Sequence, residues 1–273
     1  MRVSVCQLPD ELSTSDSLWR RFARRIENDR PDIVLLNEMP FGPWIARGPA
    51  FDAAVAAASI HLHESALTAL GELPVAVVAS RPIEARGKLA NEAFLLAKGE
   101  YHAIHHKHYF PHEPGFFECS WFTPEKPGFD AVEYRGLRLG VLLCTELMFT
   151  EWARHYRRQG VHVIVSPRAS CMSMRAWDAA ARMAAIASGC YVLSSNRVSP
   201  SAHSEPRFGG RGFAYSPTGE LIGETSDAVP WIYVDVDKAL VAEAQRNYPC
   251  YVREIEMPTP PSPHARNTAS ADR

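Results

Sequence analysis

The sequence predicts a layered α/β fold, and two observations lead to that prediction. Short apolar segments alternate along the chain with longer amphipathic segments of helical period. Glycines close three of the helical segments, at Gly71, Gly160 and Gly189, as is common at helix C-termini. Strands that alternate with helices in this way form buried sheets covered by helices.

The predicted elements follow from this pattern in chain order. In the first half we predict strands at 2–8, 33–36 and 75–80, helices at 16–28 and 50–70, and a hairpin of 91–98 with 100–105. In the second half we predict strands at 137–144, 161–166, 191–195, 213–216, 221–224 and 231–236, and helices at 146–159, 177–188 and 238–246. Pro217-Thr218-Gly219 supplies a turn between two of these strands.

A single domain is expected, since 273 residues can bury a large core without disulfides or metals. We place this domain at 1–256, because no linker divides that part of the chain. Residues 257–273 contain four prolines and few apolar side chains, so a disordered tail is predicted there.

Composition and charge narrow the class of protein. Apolar residues make up 46% and charged residues 22%, and the net charge is -2, which gives no indication of nucleic-acid binding. No apolar run approaches the roughly 20 residues that span a bilayer, so no membrane partner is expected. The six cysteines include no CxxC pair, and the start has no signal-peptide pattern, so we expect a cytoplasmic protein with reduced thiols.

Cys144 is the candidate nucleophile. It stands where an apolar strand is predicted to end and a helix to begin, close to unpaired backbone N–H groups at the positive end of the helix dipole. That environment would favour the thiolate, and the Thr145 N–H could face a developing oxyanion. The alternative is that Cys144 is a small apolar side chain that fills the core.

Two charged residues are candidate partners of this thiol. Glu38 directly follows the apolar segment 33–36, at the edge of a sheet where sites of α/β proteins form, and could act as a general base. Lys107 follows the second strand of the predicted hairpin and could place a positive charge against an oxyanion. For either residue the alternative is a solvated loop position.

A cluster of histidines surrounds the lysine, at His105, His106, His108 and His112. Imidazoles bind zinc and similar ions, so a metal-dependent hydrolase is a second hypothesis. Neighbouring residues of a strand face opposite sides, however, and no ligand spacing follows from this cluster. We therefore predict no metal site.

Taken together, these segments resemble the nitrilase (carbon–nitrogen hydrolase) family. The family carries Glu, Lys and Cys in this chain order, and the matching residues are Glu38 in LLNEMPF, Lys107 in HHKHYFP and Cys144 in VLLCTELMFTEWAR. The stretch PHEPGFFE is similar to a pattern of the branch that includes N-carbamoylputrescine amidases, which indicates Glu118 as a fourth site residue, with Glu113 as the less favoured candidate. The resemblance extends over roughly residues 1–250.

The resemblance implies a four-layer α-β-β-α sandwich, a homodimer or higher homo-oligomer, and catalysis without a cofactor. It also implies that the substrate is a small-molecule amide or carbamoyl amine, cleaved through a thioester on Cys144. A nitrilase or an amine acyltransferase on the same scaffold is the alternative within the family, and a non-catalytic protein on this scaffold is a third hypothesis.

The sequence departs from the family pattern at several positions. Thr145 and Glu146 follow the cysteine where the family often has an aromatic residue and Asp. Many relatives have a small or neutral residue where this chain has Arg168, which suggests a guanidinium that binds a carboxylate of the substrate. The alternative for Arg168 is a structural ion pair with Glu146 or Glu118.

Overall fold

The computed structural model describes residues 1–126, 128–171, 173–201 and 203–255. The tail predicted at 257–273 lies outside the described residues. We number the strands β1 to β13 and the helices α1 to α6 in chain order.

A seven-stranded sheet is built mainly from the first half of the chain. Its strands are β1 (Arg2–Pro9), β2 (Ile33–Leu35), β3 (Ala76–Ala85), β4 (Lys88–Ala97), β5 (Glu100–His106), β10 (Asn196–Val198) and β13 (Trp231–Asp235). The order is β10-β1-β2-β3-β4-β5, with β13 antiparallel to β1. Strands β1, β2 and β3 are parallel, and β3, β4 and β5 form an antiparallel meander. The carboxyl ends of β2 and β5 therefore lie at the same edge of this sheet.

A six-stranded sheet comes from the second half of the chain. Its strands are β6 (Val132–Tyr134), β7 (Leu137–Val141), β8 (Val163–Val165), β9 (Tyr191–Ser194), β11 (Phe213–Tyr215) and β12 (Leu221–Glu224). Their order is β12-β11-β9-β8-β7-β6, in which β7, β8 and β9 are parallel. The helices are α1 (Ser17–Asp29), α2 (Ala53–Gly71), α3 (Glu118–Trp121), α4 (Thr150–Arg158), α5 (Met174–Ser188) and α6 (Lys238–Arg246).

Alternation along the strands separates the core into layers, because successive side chains of a strand face opposite sides. Leu35 of β2 and Val165 of β8 belong to one core cluster between the two sheets. The neighbouring residue Val34 packs instead with Phe22 of α1 and with α2. On the second sheet, Ile164 packs with α4 and α5. The two sheets thus lie face to face with helices on both outer faces, which confirms the four-layer α-β-β-α sandwich.

Most of the predicted elements are present with bounds within a few residues, but the segment around Cys144 differs from its prediction. The strand predicted at 137–144 ends at Val141, and the helix predicted at 146–159 is divided into a 3-10 helix, Cys144–Met148, and α4. The division falls at Phe149, whose ψ of 84° is not helical and whose N–H closes a 3-10 turn on the Glu146 carbonyl. The prediction missed three short elements, α3, β6 and β10, whose few residues give no periodic signal.

Within the described ranges, no helix has both the length and the hydropathy required to cross a membrane.

Candidate active site

Three charged side chains lie in contact at one edge of the sandwich. The Nζ of Lys107 is 2.7 Å from Oε1 of Glu38 and 2.6 Å from Oε2 of Glu118. Glu38 follows β2, Lys107 follows β5, and Glu118 begins α3, so three separate segments supply them. All three side chains are buried, with at most 1% of their surface exposed. The structure therefore brings together three of the residues proposed from the sequence.

Both carboxylate oxygens of Glu38 are held by fixed donors. Asn91 on β4 donates from Nδ2 to Oε1 at 2.8 Å, beside the bond from Lys107. The backbone N–H of Ala169 donates to Oε2 at 3.1 Å. These donors stabilise an ionised carboxylate in a buried position and fix its direction.

The buried cluster shifts the pKa of two of its members. Burial by itself lowers the pKa of Lys107, but the carboxylates of Glu118 and Glu38 outweigh it and raise that pKa above its usual value. Burial raises the pKa of Glu118 to about 8; Lys107 opposes this shift and Glu38 reinforces it. The raised pKa of Glu118 favours its protonated form at neutral pH, beside a lysine cation whose own pKa is raised.

Cys144 lies beside this cluster. Its backbone N–H donates to the Pro167 carbonyl at 3.0 Å, and its Sγ lies 3.9 Å from the carbonyl oxygen of Ala169. Since the Ala169 N–H binds Glu38, one peptide segment contacts both the thiol and the carboxylate. Cys144 has a φ of 50°, in the left-handed region that side chains with a Cβ seldom occupy. Strained backbone of this kind is common at reactive sites.

The resting form of Cys144 differs from the expectation. Burial raises the pKa of the Cys144 thiol, the Glu38 carboxylate raises it further, and Lys107 only partly opposes these effects. The helix dipole invoked for a thiolate is small, because the 3-10 helix that begins at Cys144 has five residues. The raised pKa therefore favours the thiol form of Cys144, in contrast to the thiolate expected at a helix N-terminus. Thr145 lies in the first turn of this helix, where backbone N–H groups lack acceptors within the helix.

A cavity of about 210 Å³ opens onto the thiol. Its described lining residues are Pro111, Glu113, Phe116, Glu118, Cys144, Thr145, Ala169, Ser170, Cys171, Ser173, Ala176 and Trp177. Its volume is small compared with the roughly 300–1,000 Å³ of typical ligand pockets, which suits a small substrate. A larger cleft of about 520 Å³ beside α2 has no cysteine or histidine in its described lining, so size alone does not identify the reactive site.

Arg168 is not among the residues that line this cavity, contrary to the position that substrate binding would require. Its buried guanidinium donates to Ser194 Oγ at 2.6 Å, to Ser170 Oγ at 2.9 Å and to the Arg211 carbonyl at 3.0 Å. It also lies over the rings of Trp177 and Phe213. Burial lowers the pKa of Arg168 to about 10, so it stays a cation at neutral pH. Arg168 therefore supports the wall of the cavity from behind.

Two of the histidines near Lys107, His105 and His106, bind carboxylates. His105 Nε2 lies 2.7 Å from Glu146 Oε2, and His106 Nε2 lies 3.1 Å from Glu92 Oε2. In the described residues, no group of three or more His, Cys, Asp or Glu side chains is arranged to hold a metal ion. Two of the four histidines thus pair with different carboxylates, and they do not converge on one point.

Sequence reasoning missed three residues that organise the site. Asn91 holds Glu38, the Ala169 backbone links Glu38 to Cys144, and Glu146 binds the segments on both sides of the site. Asn91 and Glu92 interrupt an otherwise apolar strand, and that interruption was the available signal. A backbone contact such as that of Ala169 has no signal in the side-chain pattern.

The four-layer sandwich holds a cysteine, a lysine and two glutamates buried at one edge, as the resemblance to the nitrilase class implied. Comparison with known proteins agrees. The family model for carbon-nitrogen hydrolases matches residues 2–246. The N-carbamoylputrescine amidase of Solanum lycopersicum is 26% identical over 250 residues, which cover 84% of this chain and 83% of that protein.

Solved structures show the same fold. The carbon-nitrogen hydrolase of Helicobacter pylori G27 superposes with a TM-score of 0.78 at 23% identity, covering 92% of this chain and 94% of the other. A mutant of the amidase from Nesterenkonia sp. AN1, with acrylamide added at its active site cysteine, gives a TM-score of 0.71 at 19% identity, covering 91% and 99%. The chain belongs to the carbon–nitrogen hydrolase family. It is accordingly an enzyme that hydrolyses carbon–nitrogen bonds.

Proposed function

We propose that this protein hydrolyses the amide or carbamoyl-amine bond of a small molecule through a thioester on Cys144. One observation carries the proposal. The thiol, the Ala169 segment, Glu38, Lys107 and Glu118 form a continuous chain of contacts that ends at the cavity. The thiol lines the cavity, while the base contacts its lining residue Ala169 and the lysine contacts its lining residue Glu118. A nucleophile, a base and a fixed positive charge thus lie close together beside a space for a substrate, as covalent catalysis requires.

In the acylation step, Glu38 accepts the proton of the Cys144 thiol as sulfur attacks the carbonyl carbon of the substrate. The carbonyl oxygen becomes an oxyanion, which the Lys107 cation and the Thr145 N–H stabilise. The carbon–nitrogen bond then breaks, and nitrogen leaves as ammonia or an amine with the proton that Glu38 returns. The product that remains on the enzyme is a thioester.

In the second step, a water molecule replaces the amine. Glu38 accepts a proton from this water as its oxygen attacks the thioester carbon, and Lys107 again faces the oxyanion. When the carbon–sulfur bond breaks, the proton passes from Glu38 to sulfur, and the acid leaves. The thiol and the carboxylate are both restored.

Glu118 has a supporting part in this proposal. In its protonated form it adds no negative charge beside the oxyanion, while its Oε2 still accepts a bond from Lys107 at 2.6 Å. It thereby directs the lysine without reducing the electrostatic stabilisation of the transition state.

The charges of the cavity favour a neutral or cationic substrate. Apart from Glu118, the charged side chain among the described lining residues is the carboxylate of Glu113, and the aromatic side chains of the lining are Phe116 and Trp177. A substrate carboxylate would be repelled there, whereas an ammonium group is attracted to a carboxylate and to aromatic faces. A carbamoyl amine with a basic end fits these charges, and the name of the tomato relative agrees with it.

A substrate screen with the purified enzyme tests the proposal. The screen compares the release of ammonia from amides, carbamoyl amines and nitriles, each in cationic, neutral and anionic forms. The Cys144→Ser variant is the control. Turnover of amides or carbamoyl amines, together with a thioester adduct on the Cys144 peptide in mass spectrometry, is expected. Nitrile turnover would favour the nitrilase alternative, and acyl transfer to an added amine would favour the acyltransferase.

The homodimer stays a prediction, and measurement of the molecular size in solution tests it.

A further inference from the structure

We propose that Glu146 and His105 are positioning residues, whose buried pair holds Cys144 at its working distance from Lys107. The inference rests on the proposed function, since it concerns the geometry of that same site. Its basis is a set of hydrogen bonds from one carboxylate to the backbone just before Cys144 and to the backbone just after Lys107.

The carboxylate of Glu146 accepts three hydrogen bonds and is fully buried. Oε2 receives the N–H of Leu143, the residue before the nucleophile, at 2.8 Å. Oε1 receives the N–H of His108, the residue after the lysine, at 2.7 Å. One side chain therefore binds the backbone next to Cys144 and the backbone next to Lys107.

His105 completes the arrangement and fixes the orientation of the carboxylate. Its Nδ1 accepts the N–H of Phe129 at 3.3 Å, so the ring proton lies on Nε2 and is donated to Glu146 Oε2 at 2.7 Å. Gly128 leaves room for the ring, because a Cβ there would lie 2.6 Å from His105 Nδ1. The imidazole is thus enclosed and satisfied at both nitrogens.

The conformation of Cys144 explains why the hydrogen bonds of Glu146 and His105 are needed. Cys144 holds a positive φ, which the backbone leaves readily unless the surrounding contacts prevent it. Leu143, just before it, lies beyond the end of β7, and its N–H donates to Glu146 instead of to a neighbouring strand. A shift of about 1 Å between reacting groups can reduce turnover about a hundredfold. The Glu146 carboxylate opposes such a shift because it binds the backbone beside Cys144 and the backbone beside Lys107.

A second histidine–glutamate pair, whose histidine follows His105 on β5, provides a matched control. His106 and Glu92 are also buried, at 3.1 Å between Nε2 and Oε2. Glu92 also accepts a bond from Tyr101, on the strand that carries the histidine, and forms an ion pair with Arg81 on β3. Loss of this pair removes a buried interaction of the same kind without removing a bond to the nucleophile segment.

The experiment compares Glu146→Gln and His105→Leu with Glu92→Gln and His106→Leu in the full-length protein. It measures kcat and KM on the best substrate of the screen, the melting temperature, and the rate at which iodoacetamide alkylates Cys144, with peptide mapping to separate the exposed Cys119 and Cys171. We expect kcat of Glu146→Gln to fall about a hundredfold with KM within about threefold, because a glutamine amide would face an N–H donor. We expect the alkylation rate to fall about tenfold, and the control variants to keep kcat within about threefold.

His105→Gln serves as the rescue variant, since its Nε2 can donate where the imidazole Nε2 does. It should recover most of the kcat that His105→Leu loses. Equal losses of kcat in the two pairs, in proportion to the melting temperature, would overturn the proposal, as would a normal kcat in Glu146→Gln. If Glu146→Gln does not fold, the comparison of His105→Leu with His106→Leu decides. Alkylation of Cys144 needs no substrate, so its rate tests the positioning role of Glu146 and His105 even if the wild type hydrolyses no amide.

Discussion

Asn91 Nδ2 donates to Glu38 Oε1 at 2.8 Å, and this is the same oxygen that Lys107 contacts at 2.7 Å. One oxygen of Glu38 is thus held by a neutral donor and by a charged donor. If the proposed mechanism holds, the position of Glu38 depends on Asn91 as well as on the lysine.

Removal of the Asn91 amide should therefore impair turnover more than binding. We expect Asn91→Ala to lower kcat about 10- to 100-fold, since the base keeps its charge but loses part of its support. Asn37→Ala is a useful comparison, because its amide donates to the Leu8 carbonyl instead of to Glu38. Steady-state kinetics of both variants, with their melting temperatures, measure the difference; a larger kcat loss in Asn37→Ala would contradict the assignment.

Replacement of the nucleophile should abolish hydrolysis. We expect Cys144→Ala and Cys144→Ser to fold with near-normal circular dichroism and to release no ammonia, because no thioester can form without the thiol. Iodoacetamide inactivation of the wild type, followed by peptide mapping, should locate the lost activity at Cys144. Inactivation that follows labelling of Cys171, which also lines the cavity, would require a different nucleophile.

The charged partners should act as a unit. Glu38→Gln and Lys107→Met should each lower turnover by orders of magnitude, because one loses the base and the other the charge that faces the oxyanion. The double variant should lose much less than the product of the two single effects, as groups of one constellation do. Single-turnover kinetics of the three variants measure this non-additivity, and near-normal rates in either single variant would rule out the constellation.

The pH dependence of stability should report on Glu118, whose pKa burial raises to about 8 from a usual 4.5. The folded protein keeps a proton that the unfolded chain loses between these values. This contribution to the free energy of unfolding is complete below the unfolded pKa and is lost as pH rises through about 8. Glu118→Gln removes this contribution, so the free energy of unfolding of the variant should change less between about pH 5 and pH 9 than that of the wild type. The difference between the two changes should be on the order of a few kcal/mol, since each pKa unit corresponds to about 1.4 kcal/mol. Urea denaturation of both proteins checks this, and parallel curves would contradict it.

Arg168 should matter for stability rather than for substrate charge. Its guanidinium is buried, donates to three acceptors and stacks on Trp177, so Arg168→Met should destabilise the protein by about 2–4 kcal/mol. Arg168→Lys keeps the charge but not the planar arrangement of donors, and should restore little of the loss. The ratio of kcat/KM for anionic and neutral substrates should stay constant in both variants; a selective loss on anionic substrates would instead support direct binding.

The sequence predicted the layers of the fold well, because apolar alternation directly reports which face of a strand is buried. It also predicted that Glu38, Lys107 and Glu118 belong together, although the evidence for that came from motif order and not from periodicity. The protonation state of Cys144 could not be predicted, since it depends on complete burial beside a carboxylate from another strand. The contacts of Glu146 were missed for a similar reason: its partners His105 and His108 are 41 and 38 residues away in the chain.

The left-handed backbone at Cys144 has a consequence for the stability of this scaffold. Glycine is the residue that occupies such a conformation without strain, whereas any side chain with a Cβ costs about 1 kcal/mol or more there. Cys144→Gly should thus be no less stable than Cys144→Ala, although it removes another buried atom. If the proposed mechanism holds, catalysis therefore requires a thiol at a position where stability alone favours glycine.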